Sequence, residues 1–139
     1  MTLSGFQKTT LCIAGITAFS IGSFILAAPH AFYARYGITL GGTPSLMSEL
    51  RAPGAGLATL GVLMLAGIMR AACAPVALVA ALTVYLAFPF GRFVSLALDG
   101  MPSASVLGAL GVELAIAALC IVAFGRMAAV QTRISGSEE

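Results

Sequence analysis

Residues 74–124 read APVALVAALTVYLAFPFGRFVSLALDGMPSASVLGALGVELAIAALCIVAF. Two apolar runs stand in this stretch, about 74–98 and 103–124, each long enough to cross a bilayer, for which about 20 apolar residues suffice. The turn from Asp99 to Pro102 is so short that the second run must return antiparallel beside the first. Each run carries an ionisable residue in its interior, Arg92 in one and Glu113 in the other. A charge at membrane depth costs roughly 3 kcal/mol or more even on mild scales; it persists when paired, when lining a wet cavity, or when used.

Working outward, two more spans qualify. One covers about residues 6–28 and is stopped by Pro29. The other covers about 51–69, with an earlier start at Pro44 in view, because Thr43 can cap a helix and proline suits its first position. The whole chain has 139 residues, 60% of them hydrophobic and 9% charged, against roughly 25% charged in ordinary globular proteins. A soluble fold of this size cannot hide so much apolar surface. In lipid only a helix or a closed barrel satisfies its own backbone, and the alternating polarity of a barrel strand is absent. The expected fold is therefore an all-α membrane protein, a four-transmembrane-helix up-down bundle. It occupies residues 1–125 as one domain, followed by a polar, fraying tail over 126–139. The first loop, His30 to Glu49, is expected to cover one mouth. Lys8 before the first span and Ala27-Ala28 at its end resemble a signal peptide, but the apolar stretch is long for that role and is read as a retained helix.

Several function classes fall away. A net charge of +2 without a cluster of Lys or Arg argues against nucleic acid and against a polybasic headgroup patch. The single histidine, His30, excludes a multi-histidine metal or haem site, and no metal or cofactor is expected. Cys12, Cys73 and Cys120 form no CxxC pair. They are read as small buried hydrophobes at one membrane face, where three thiols are also the raw material of a soft-metal or redox site. Gly41-Gly42-Thr43-Pro44 is a turn that lacks the lysine of a phosphate loop. Lys8, Arg70, Arg126 and Arg133 flank one side, against Arg35 and Arg51 on the other, which places both termini in the cytoplasm. Phe32, Tyr33 and Tyr36 are then expected to face lipid at the outer interface.

Helices pack in lipid through small residues. Four-residue spacing puts Ala14, Ala18 and Gly22 on one stripe. Gly54, Ala58 and Gly61 make a stripe on the second span, and Ala109, Glu113 and Ala117 one on the fourth. The last aims Glu113 into the bundle. A period of 3.6 aligns Tyr85, Phe88, Arg92, Ser95 and Asp99 on the third helix, with Pro89 and Gly91 expected to kink it. At 1.5 Å per residue, Arg92 lies roughly 10 Å and Glu113 roughly 15 Å from the same end, within reach of each other. Arg51 is expected to approach from the second helix, with Glu49 a half-turn away. The candidate ligand-binding set is Arg51, Arg92, Glu113, Glu49, Asp99, Ser95 and Tyr85. Its competing reading is a satisfied ion-pair network that fixes helix register.

Glu49-Leu50-Arg51 before Gly54-Ala55-Gly56, Gly91-Arg92 with Ser95, Asp99-Gly100-Met101-Pro102-Ser103, and a mid-helix Glu113 together form a recognisable pattern. It resembles a family of small bacterial four-helix membrane proteins classed as a domain of unknown function, distantly similar to the DoxX-like group. The resemblance runs from the first helix through the fourth and is most specific in the third. At Pro53-Gly54-Ala55 the chain departs from the family's bulkier residue and Gly-Gly pair. The resemblance implies the fold and the bacterial inner (cytoplasmic) membrane, and no assigned activity. Quinone-linked sulfur redox chemistry in the DoxX-like group is an analogy of fold. The leading reading is a binding protein for an amphipathic or anionic small ligand, quinone-like or a lipid head group. The alternative is a non-catalytic accessory subunit, packed in a larger membrane complex or a homo-oligomer. Arg, Glu and Asp can support acid–base chemistry, but no nucleophile–base pair or cofactor motif accompanies them. Transport has little support, with four spans and no evident inverted repeat.

Overall fold

Each long apolar run becomes a helix because its backbone has no other partner in a membrane. The computed structural model describes residues 2–135. Among these, α1 spans Gly5–Ala27, α2 Pro29–Ala34, α3 Pro44–Met69, α4 Ala74–Asp99 and α5 Ala104–Ser135, with a 3-10 turn over Ala71–Cys73 and no strand. Among the described residues four helical segments are long and apolar enough to cross a membrane.

The helix starts are chemically marked. The Ser4 hydroxyl accepts from the Gln7 backbone N–H, and the Gln7 side chain accepts from the Ser4 N–H, a reciprocal capping box. Thr43 accepts from the Leu46 N–H and Pro44 takes the first turn of α3. The second span thus begins at the earlier of its two expected starts, not at Arg51. Pro75 serves the same end of α4, and the Ser103 carbonyl accepts from Val106 and Leu107 to open α5. Gly100, at a φ of 95°, ends α4 in a backbone conformation that favours glycine. Pro53 and Pro89 both sit inside continuous helices. The fourth span does not stop at Phe124: α5 continues to Ser135, so the expected tail is helical over 126–135, and 136–139 lie outside the described residues.

The long helices form a ring in which α1 packs on α3, α3 on α4, α4 on α5 and α5 back on α1. Successive long helices run antiparallel. The α1–α3 contact is the most intimate, and glycine is its cause. A Cβ at Gly61 would lie 2.5 Å from the Phe19 nitrogen and 2.8 Å from the Gly15 carbonyl oxygen, and one at Gly22 would overlap the Ala58 backbone. The expected small-residue stripes therefore meet each other.

The core is not spread evenly. Leu11, Ala14 and Ala18 of α1, Leu57 and Met64 of α3, Leu78, Ala81, Val84 and Tyr85 of α4, and Ile116, Ala117 and Cys120 of α5 form one buried cluster. Every one lies in the middle of its helix or toward the bundle end that carries the termini. There the Gln7 amide also donates to the Ala123 carbonyl at 3.2 Å, tying the start of α1 to α5. Toward the opposite end the bundle is hollow, with a cavity lined by α1, α4 and α5.

Candidate functional site

The hollow is a cavity of about 750 Å³, within the range of small-molecule sites. Thr17, Ala18, Ile21 and Ile25 of α1 form one wall. Residues from Val84 to Leu96 of α4 and from Val106 to Glu113 of α5 form the others, and Leu57 is the contribution of α3. Phe32, Tyr33 and Tyr36 hang over it from α2 and the loop that follows.

Among the described residues two charged side chains line this cavity, Arg92 and Glu113. They face each other across α4 and α5 as their depths require. Arg92 Nε donates to Glu113 Oε2 and Nη2 to Oε1, both at 2.8 Å. This side-on bidentate fork is the strong form of the pair. The side chains keep 29% and 14% of their surface exposed, Arg92 the larger share. The fork leaves Nη1 with two N–H donors that meet no acceptor among the described residues. Among the described residues no buried side-chain nitrogen or oxygen is left unpartnered, so Nη1 keeps some exposure. The phenol hydroxyls of Tyr33 and Tyr36 make no hydrogen bond among the described residues either. An apolar chamber thus offers a short set of unspent donors beside an internally neutralised ion pair.

The rest of the expected cluster divides. Ser95 lines the cavity, and its hydroxyl donates to Asp99 at 2.8 Å. Asp99 itself is exposed beyond the cavity wall, at the end of α4. Tyr85 contributes ring surface to the lining, but its hydroxyl is spent: it donates to the Ala14 carbonyl at 2.7 Å, joining α4 to α1 across the ring. Glu49 and Arg51 do not converge on the pair. Both are exposed on the first two turns of α3, away from the cavity lining, and neither forms an ion pair among the described residues. Counting residues gave Arg51 a plausible depth, but the rotation of α3 turns it outward.

Three features escape a reading of the sequence. Phe32, Tyr33 and Tyr36, expected at the outer interface, also line the cavity. They are half-buried and roof the cavity, with Phe32 packed edge-on against Phe24 and Tyr33 and tilted against Tyr36. Their signal is Pro29 at the head of a short aromatic segment, which nucleates α2 and turns it back over the bundle. The roof is fastened to the α4–α5 turn by Ser103, whose hydroxyl donates to the Tyr36 carbonyl at 3.2 Å. Gln7 is the third, readable as the S-x-x-Q capping pattern. The three cysteines are free thiols, Cys120 fully buried.

A family model described as a domain of unknown function (DUF4345) matches residues 6–124. The chain belongs to this family. The DUF4345 match covers all four expected spans, and with them both halves of the ion pair and the whole cavity lining. No curated protein and no solved structure shows similarity to the chain.

Proposed function

We propose that this DUF4345 protein binds an amphipathic small molecule, a quinone-like compound or a lipid head group, in the cavity between α1, α4 and α5. The observation that carries the reading is the accessible face of Arg92. A guanidinium braced by Glu113, with N–H donors unspent in a mostly apolar chamber, is a built hydrogen-bonding point for a polar head. A lock serving only helix register has no use for a chamber beside it. The hydrocarbon part of the ligand lies along Ile21, Val84, Phe88 and Leu110, and the α2 aromatics close over it. Ser95 belongs to the site; Tyr85 shapes it; Glu49, Arg51 and Asp99 act at most on approach. The protein sits in a bacterial inner membrane with its termini in the cytoplasm and the roofed mouth outward. Kinship with the DoxX-like group is part of the same reading.

The test is native mass spectrometry of the protein released from its own membrane in mild detergent. A stoichiometric small adduct is expected, lost in Arg92→Ala and in Glu113→Gln. A bare protein in every preparation sinks the proposal.

One observation favours the accessory-subunit reading. The α1 and α3 stripes are consumed inside the bundle, but α5 turns Ala104, Gly108, Gly111, Ala115 and Ala118 outward, and a Cβ at Gly108 or Gly111 meets nothing within 4 Å. Such a face suits a neighbouring membrane helix. Co-purification of a second membrane protein, lost on Gly108→Leu/Gly111→Leu, supports it.

A further inference from the structure

We infer that the cavity selects a neutral amphiphile whose head offers carbonyl or ether oxygens, and discriminates against anionic heads. The inference rests on the cavity being a binding site, as proposed above, and names its ligand class.

The argument is one of spent and unspent capacity. Arg92 and Glu113 are the charged residues of the lining, and the bidentate fork between them cancels their charge within the site. What remains is donor capacity without net positive charge: two N–H groups on Nη1, the second N–H of Nη2, and the hydroxyls of Tyr33 and Tyr36. An uncharged carbonyl, ester or ether oxygen needs a donor and no counter-ion. A phosphate or carboxylate needs both, and it would enter a low-dielectric chamber with the Glu113 carboxylate already holding the cation. It must then lie beside a like charge or displace Glu113 from two 2.8 Å hydrogen bonds. Asp99, one further carboxylate, stands at the end of α4 on the mouth side, held by Ser95. Arg51, a further cation, is exposed and outside the cavity lining. Arg35 is not in the lining and stacks on the Phe24 ring instead.

Two probes isolate the head group: 1-monooleoylglycerol and 1-oleoyl lysophosphatidate, which share the chain and the glycerol ester and differ in the phosphate. Each is titrated into the full chain in a neutral detergent, and the one-to-one complex is counted by native mass spectrometry. The neutral lipid is expected to bind at least tenfold more tightly. In Glu113→Gln the guanidinium regains its charge for the ligand, and the order inverts, with lysophosphatidate gaining at least tenfold. Equal or tighter binding of lysophosphatidate to the wild type overturns the inference and leaves the cavity reading standing. Binding of neither probe counts against the cavity reading itself, and the inference falls with it. Should Glu113→Gln fail to fold, the wild-type ratio alone still decides.

Discussion

At the scale of the residue, Arg92 and Glu113 pose a question of cost. Removing one partner strands a charge at membrane depth, while replacing both with apolar residues strands none. The pair is partly exposed, so the loss falls between those of surface and buried pairs. Arg92→Met is expected to destabilise the protein by about 1–3 kcal/mol, seen as a lower thermal midpoint in detergent. Arg92→Met/Glu113→Leu should regain most of that loss, yet bind no ligand. A double variant as unstable as the single one would show that the fork itself holds α4 to α5. The meeting of these two residues is legible in their spacing, because both lie a countable distance from one turn. The failure of Arg51 to join them is not. Residue counting yields depth, and joining the pair also needs an angle about the α3 axis, which packing against α1 sets.

At the scale of the element, the decisive contact is α1 against α3. Gly61→Val must push apart two backbones already at contact distance, a disturbance of the overpacking kind that costs about 1–3 kcal/mol. Gly108→Val, on the open face of α5, should leave the stability of the isolated bundle within about 0.5 kcal/mol. Unfolding of both variants, followed by circular dichroism in the same detergent, checks the contrast; equal losses would contradict the glycine seam. The stripes themselves can be read from four-residue spacing. Their pairing cannot, since a small-residue face says that something comes close and not what. The α2 aromatics make the same point. Their amphipathic chemistry suits an interface, and only the fold of a six-residue helix turns them onto the cavity.

At the scale of the molecule, the bundle is solid toward the termini and hollow toward the α4–α5 turn. An even number of antiparallel spans puts both termini at one end, and the orientation proposed from the Lys/Arg bias turns that end to the cytoplasm. In a background free of Cys12, Cys73 and Cys120, a Ser103→Cys thiol should react with a membrane-impermeant maleimide added outside intact cells. Ser4→Cys should react only after permeabilisation. The reverse pattern would invert the orientation and turn the cavity mouth to the cytoplasm.

Composition and span length suffice for the membrane class, the four helices and their alternation. Lipid leaves a polar backbone one local remedy, and short turns leave adjacent spans one direction. Spacing along single helices also suffices for the depths of Arg92 and Glu113. The closing of the ring through α1, the outward turn of Arg51 and the placing of the hollow beside the ion pair belong to the assembled bundle. Each depends on how faces far apart in the chain rotate and seat against one another, and that is a property of surfaces in contact rather than of any one segment.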